Sequence, residues 1–438
     1  MTHESAKATG VPVTVLVSLM LALFSVSLGY GIILPMLPDR IARATGASAG
    51  LSTMTGLLTG LYMLALFIFA PLWGWISDRR GRRGVLIIGL AGFGTTMMAF
   101  SFLEGSLALY AERLLSGLFA AAITPVALAV VADLAKNDKE RARRQTLVSL
   151  AGMAGFLVGP MAGAVLIQIS GALPDSGPFA PLSFPLIVTG LLSLGGMIAA
   201  LATIPGSSQP TTRKPVAGQP IEAKAPLVWR LLFLAFVVAA AVGLFEVGLV
   251  LRGQRELGLA PYEIAAMFSE CSLIMFVVQA IVFSPLVKPD GTRWLIAPAL
   301  VVLAGGLFLL PRTSDYALMI GLVGAIASSA GVLAPIVTYW ISTKAGAAQG
   351  TQLGRQMAAA SLGGTVGSVT GGVLFDLPGG GDGSFLVASV GVLVGFVIAV
   401  GLPGRLVPRG NPRALGVNDE YAASIKERST SRRVRRPF

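Results

Sequence analysis

The chain has 438 residues, 54% of them hydrophobic and 12% charged, against roughly a quarter charged in ordinary soluble domains. One cysteine, Cys271, and one histidine, His3, exclude a disulfide framework, a histidine-based metal centre and a histidine-containing triad. The net charge of +12 gathers in the last residues, RSTSRRVRRPF, and in short segments between apolar runs, which argues against a nucleic-acid surface and for a membrane protein.

A bilayer core of about 30 Å takes roughly 20 apolar helical residues to cross, and twelve such segments can be placed. The first, 12–36, follows MTHESAKATG, which lacks an A-x-A cleavage site and reads as a polar tail before an uncleaved helix. Next come 50–76, 83–104, 107–133, 146–169 and 184–204. The stretch IPGSSQPTTRKPVAGQPIEAKAP from Ile204, rich in Pro, Ser, Gly and charge, reads as a linker. After it lie 227–250, 261–287, 294–311, 316–342, 353–375 and 384–404. The predicted fold is an all-α membrane protein of twelve transmembrane helices. Its expected parts are a tail 1–11, a six-helix half 12–204, a linker 205–226, a second six-helix half 227–404 and a basic tail 405–438.

Lys and Arg should concentrate on the cytoplasmic side. With this topology 27 of the 33 fall on the side of the N-terminus, while Arg40, Arg43, Arg252, Arg255 and Arg312 fall on the other. Both termini are therefore expected to be cytoplasmic, in a bacterial inner (plasma) membrane. The halves echo one another: Gly155, Gly159 and Gly163 followed by AVL match Gly363, Gly367 and Gly371 followed by GVL, an offset of 208. A fainter echo of residues 74–83 stands at Lys288-Pro-Asp290-Gly-Thr-Arg293. Two parallel six-helix repeats with a site between them are a transporter architecture.

The most concentrated charge lies in GWISDRRGRR, residues 74–83, between two runs that have none. Gly74 and Gly81 permit close approach and tight turning, Asp78 suits a helix N-terminus or pairing with Arg79, and the Arg run also suits any inner loop facing anionic lipid. The spacing Gly-x3-Asp-Arg-x-Gly-Arg-Arg resembles the signature loop of the major facilitator superfamily, carried here by Gly74, Asp78, Arg79, Gly81, Arg82 and Arg83. The resemblance runs from helix 1 to helix 12 and implies the two-half major facilitator fold. It also implies a conformational latch, in which the Asp faces a helix of the other half and an Arg pairs with an acid at the inner end of helix 4, the place of Asp133.

Three further stretches resemble the twelve-helix drug:proton antiporters within that family. LGYGIILPMLP, residues 28–38, carries Gly29, Pro35 and Pro38 of the helix 1 pattern. RLLSGLFAAA opens with Arg113, in the place of a buried Arg associated there with proton coupling. GFLVGPMAG, with Gly155, Gly159, Pro160 and Gly163, resembles the helix 5 pattern of exporters, although Ala164 replaces its final Gly. The same glycines suit close helix packing in any membrane bundle, and Pro160 can bend the helix.

Ionisable groups inside spans are costly and so are default site candidates. Four qualify: Glu112, Arg113, Glu246 and Glu270. Neighbouring positions do not share a helix face, so Glu112 is expected to snorkel outward and leave Arg113 to another partner or to an aqueous cavity. Glu246 and Glu270 are the alternative proton carriers, because a low-dielectric site disfavours the charged form and exposure to water restores it. The rival reading pairs each with Arg252, Arg255 or Arg113. Tyr30, Tyr62, Met267, Phe268, Met275, Gln279 and Tyr339 are candidates to line a promiscuous apolar cavity.

No phosphate loop, HExxH or nucleophile constellation occurs, so no enzyme activity and no cofactor or metal is expected. The expected partners are a small-molecule substrate, protons and anionic lipid at the RRVRR tail, with no nucleic acid. One chain already holds both halves, so a monomer suffices. Together these point to proton-coupled efflux of small apolar or cationic compounds by alternating access. A metabolite symporter or a facilitator of the same fold is the alternative, with a non-transporting receptor or assembly factor further off.

Overall fold

The structure, a computed structural model, describes residues 10–46, 50–103, 105–171, 182–206, 225–282, 289–344, 349–377 and 380–406. His3 and most of the N-terminal tail, linker residues 207–224, residues 283–287 of the eighth predicted span, Lys288 and the basic tail from 407 lie outside the described residues. Among the described residues there are no strands, and twelve helices are long and apolar enough to cross a membrane. They are α1 (Val13–Thr45), α2 (Leu51–Arg80), α3 (Arg82–Phe100), α4 (Ser106–Leu134), α5 (Asp138–Gly171), α6 (Phe184–Thr203), α7 (Ala225–Leu251), α8 (Pro261–Val282), α9 (Ile296–Leu309), α10 (Tyr316–Lys344), α11 (Gln349–Phe375) and α12 (Gly380–Val400). This is the all-α, twelve-span fold expected. In a bilayer only helices or closed barrels satisfy their own backbone hydrogen bonds, so the apolar runs have no other choice.

The helices overrun the predicted spans at polar ends and past prolines. α1 continues to Thr45 through Pro35 and Pro38, both buried, because packed neighbours support a proline-bearing membrane helix. α5 begins at Asp138, before its apolar run. Asn137 caps it, accepting from the Glu140 N–H at 2.8 Å, and Glu140 accepts in return from the Lys136 N–H at 2.9 Å. α7 passes directly into a π-helical turn, Arg252–Glu256, that turns several charged side chains back over the bundle.

Two apolar clusters hold the bundle. One joins residues of α1–α6 with Val247, Leu251 and Phe375, and the other joins residues of α7, α8, α9, α10 and α12 with Leu34. Beside them α5 lies along α1, and α11 along α7. A Cβ at Gly155 would stand 2.3 Å from the Phe24 carbonyl oxygen and one at Gly159 2.8 Å from that of Leu28. On the second pair, a Cβ at Gly363 would stand 2.3 Å from the Phe236 oxygen and one at Gly367 1.9 Å from that of Ala240. The sequence echo is therefore a repeated contact, in which small residues let backbones touch where lipid gives helices no hydrophobic reason to associate.

The side of the bundle carrying residues 78–83 differs from the far side. α2 and α11 touch near the far side, where a Cβ at Gly56 would be 2.8 Å from the Gly372 Cα. Nearer the 78–83 side they stand apart on opposite walls of a cavity. All five tryptophans, Trp73, Trp75, Trp229, Trp294 and Trp340, lie on the terminal turns at the 78–83 side, where amphipathic rings favour a membrane–water interface.

Gly367→Val should lower the melting temperature in detergent by several degrees, an overpacking cost of about 1–3 kcal/mol. Gly391→Val on α12, where a Cβ meets nothing within 4 Å, should leave it unchanged; equal melting of the two variants would contradict the backbone contact.

Candidate functional site

A cavity of 440 Å³ lies between α1, α2, α4, α5 and α8, a size suited to a small-molecule site, for which about 300–1,000 Å³ is usual. Its roof is aromatic: Tyr30 stacks on Tyr62 with centroids 5.3 Å apart and on Phe156 at 5.7 Å. Met63, Met153 and Met275 form adaptable walls, with Thr124, Ser149, Ser272 and Gln279 as scattered polar groups. A second cavity of 450 Å³ between α2, α4 and α11 shares Leu66, Ala120 and Thr124 with the first and continues toward the 78–83 side. Of the residues proposed from sequence for the cavity, Tyr30, Tyr62, Met275 and Gln279 are on its wall. Met267 and Phe268 are 1% exposed, buried in the packing of α7–α12, and Tyr339 sits edge-on to Trp340.

Glu246 enters at the roof. Its Oε2 accepts a hydrogen bond of 2.8 Å from the Tyr30 hydroxyl, tying α7 to α1. Glu270 stands elsewhere, its Oε1 against Gly324 of α10. Arg252 pairs with Glu256 at 2.5 Å and donates to the Thr313 carbonyl at 2.9 Å, while Arg255 pairs with Asp376 at 3.1 Å.

The expectation for Glu112 is corrected. It does not snorkel: it is fully buried, and it pairs with both Arg113 and Arg40, the latter at 3.4 Å. Adjacent side chains diverge from a helix, but the long guanidinium of Arg113 folds back across the short step to the carboxylate. Arg40 arrives from α1 and anchors on the Phe100 carbonyl at 3.2 Å. The Arg113 guanidinium then lies 5.6 Å from the Tyr62 ring, a cation–π distance, directly behind the cavity roof. Two cations share one carboxylate, and the triad is held only because each charge has a partner.

At the 78–83 side, Gly81 has φ +94°, which breaks the chain between α2 and α3 as L side chains rarely can. Arg82 reaches Asp133 of α4 at 3.2 Å, pairs with Asp78 and donates to the Ser77 hydroxyl at 2.7 Å. Arg79 instead stacks on Trp75 at 3.9 Å, and Arg83 donates to the Leu201 carbonyl at 2.7 Å. Asp78 therefore pairs with Arg82 rather than with Arg79, and it is 62% exposed, so in this conformation the network stays among α2, α3, α4 and α6. A Cβ at Gly74 would meet nothing within 4 Å among the described residues. On α1, a Cβ at Gly29 would run into Thr189 at 2.7 Å, and Gly159, Pro160 and Gly163 of α5 face α1.

A family model described as Major Facilitator Superfamily matches residues 19–354. The chain belongs to the Major Facilitator Superfamily. It is 27% identical over 400 residues to multidrug resistance protein 2 of Bacillus subtilis (strain 168), covering 89% of this chain and 94% of that protein. To the quinolone resistance protein NorA of Staphylococcus aureus (strain COL) it is 22% identical, covering 81% of this chain and 88% of the relative. The fold matches a bacterial homolog of the human lysosomal transporter Spinster with a TM-score of 0.71 at 16% identity, over 91% of this chain and 98% of that one. This major facilitator protein is an integral membrane transporter and not an enzyme.

Sequence reasoning had passed over Arg40 and Phe156. Arg40 falls near the start of the loop between the first two predicted spans, and only the overrun of α1 past its prolines brings it inside. Phe156 stands one residue after Gly155 on α5, a position that could have been found by asking which face the glycine stripe leaves free. Glu112→Gln leaves two buried guanidinium groups without their counterion, a loss of about 3–5 kcal/mol. It should lower thermal stability far more than Asp382→Asn, whose carboxylate is 70% exposed; equal melting curves would refute the triad.

Proposed function

We propose that this transporter exports small apolar or cationic compounds in exchange for protons, by alternating access. In this reading residues 12–204 and 227–404 move as two units, both termini and the 78–83 side face the cytoplasm of a bacterial inner membrane, and the basic tail meets anionic lipid. Support comes from the two cavities, with their methionine and aromatic walls, and from relatives whose names record resistance to several drugs or to quinolones.

The observation that carries the coupling is the Tyr30–Glu246 hydrogen bond. It places an acid of α7 at the roof of a cavity built largely by the first six helices, where the two groups of helices meet. Deprotonated, Glu246 offers the cavity a negative charge for a cationic substrate; protonated, it does not. Proton and substrate then compete, and each promotes release of the other. Neither carboxylate lines the cavity itself, and Glu246 takes this role over Glu270 because it holds the lining residue Tyr30, whereas Glu270 lies against α10. Arg113, held by Glu112 and Arg40 behind Tyr62, adds a fixed positive charge that favours the open, charged carboxylate once substrate leaves. Asp78, Arg82 and Asp133 act as the inner latch, the Asp78 carboxylate being free to turn to the other unit when that side closes.

In respiring inverted vesicles containing a pH dye, lipophilic cations should provoke proton release from the wild type and from Glu270→Gln, and at least tenfold less from Glu246→Gln. Release abolished in Glu270→Gln alone would move the carrier to α8. No proton movement with any compound, while purified protein still binds them, would leave a facilitator.

A further inference from the structure

The far side of the bundle is shut by a polar clamp made from three helix ends. α2 begins after Gly50, which has φ +75° and no side chain to cap the helix, so its first backbone N–H groups need partners from elsewhere. One is supplied by another helix. The N–H of Thr53 donates to Asp376 Oδ2 at 2.8 Å and its hydroxyl to the same oxygen at 2.7 Å. Asp376 follows directly on α11. Arg255, on the π-turn after α7, donates to Asp376 Oδ1 at 3.1 Å and to the Ser52 hydroxyl at 2.7 Å. One turn further into the membrane, Gly56 and Gly372 bring α2 and α11 into backbone contact.

We propose that Asp376 and Arg255 form the outer gate of the transport cycle, a helix cap given in trans that must be released for the outer side to open. The clamp joins α2 to α7 and α11. The Arg82 network at the other side joins α3 to Asp133 of α4 and Asp78 of α2, where it ties no helix of the first six to the last six. Two other hydrogen bonds that cross between the two groups, Tyr30 to Glu246 and Gln254 to the Pro35 carbonyl at 3.4 Å, lie on the clamp's side of the cavity. Opening the outer side therefore costs a carboxylate–helix cap, an ion pair and a glycine contact together. These are replaced only when the inner ends approach.

The clamp does not respond to pH across the ordinary range. Burial works against the charge on Asp376, but the Thr53 and Ser52 hydrogen bonds and Arg255 outweigh it, and the carboxyl is held below its usual value. A depressed value means that the contribution to the closed state is complete above about pH 4, the ordinary carboxylate range, and fades only as pH falls through the bound value. The charged groups near it are Arg255 on the turn after α7 and, beyond Arg252, Glu256 and Asp382, which pair with that arginine; α2 presents only the neutral Ser52 and Thr53.

The proposal rests on alternating access but not on proton coupling, and the test separates them. Full-length protein in nanodiscs, in a Cys271→Ser background, would carry spin labels at Leu107 and Leu318 on the outer side or at Ile198 and Val397 on the inner side, all well exposed. Pulsed dipolar spectroscopy should show the long outer distance rising about tenfold in population for Asp376→Ala, the loss of a charged cap. The rise should be smaller for Asp376→Asn and Ser52→Ala, and the inner distance should shorten in step, each substitution producing the same fold-change at pH 8 as at pH 5. Ser52→Ala removes one hydroxyl from a folded helix end and so reports even if Asp376→Ala folds poorly. Outer distances that ignore every clamp variant, while substrate still shifts the wild type between two populations, overturn the gate and leave alternating access standing. One fixed population in all samples overturns both.

Discussion

Backbone contact between helices is the constraint on which the rest of this structure depends. Lipid gives apolar helices no reason to leave it, so association must come from surfaces that fit more closely than lipid fits either. Glycines on α5 and α11 supply that fit against α1 and α7, with carbonyl oxygens where a methyl group would have to be. The contact is repeated at an offset of 208 for the glycines and 212 for the residues they touch, so two separate pairs are built by one rule. The hydrogen bond at the cavity roof is set by these pairs. Tyr30 projects from α1 between Gly29 and Gly31, and Glu246 from α7 just beyond Leu244, which Gly371 touches.

Charge inside the bundle is then spent where helices have been brought together. Arg40, Glu112 and Arg113 are stable only as a set, because any one of them alone would be an unpaired ion in an apolar surround. Their common position behind Tyr62 sets a fixed positive field at the cavity roof, opposite the carboxylate of Glu246. The roof is thus polarised by groups that never contact a ligand. The walls below it are methionine, leucine and alanine with scattered hydroxyls and one amide, so a ligand meets adaptable apolar surface and few hydrogen-bonding groups.

The twelve crossings were legible in the sequence because hydropathy and length leave a membrane chain few alternatives, and the glycine echo was legible because close packing needs a small residue at every fourth position. Helix ends were less so: the first span is expected to end at residue 36, between Pro35 and Pro38, since proline ends helices in water but not among packed helices that can absorb the lost hydrogen bond. Glu112 was misread for a related reason. The rule that neighbours diverge describes Cβ directions, whereas an arginine has four more bonds with which to turn back, and the second partner of Glu112, Arg40, comes from α1, 72 residues away. The spacing of residues 74–83 pointed to Arg and Asp as partners, but which arginine reaches Asp133 depends on the turn at Gly81 and the path of α4. Cross-helix pairings such as Tyr30 with Glu246 are set by rotation of whole helices about their axes, and no local pattern records that.

The tryptophans, all at one end of the bundle, make the protein optically one-sided. Trp340 is buried beside Thr292, while Trp75 and Trp229 are more than half exposed, so their emission senses whether water or neighbouring helices surround the 78–83 side. The clamp at Asp376 is remote from all of them and is silent in ultraviolet fluorescence. An unlabelled sample therefore carries a built-in gauge of one doorway alone, and a quencher dissolved in the water on each side of a vesicle would read that doorway from one side only.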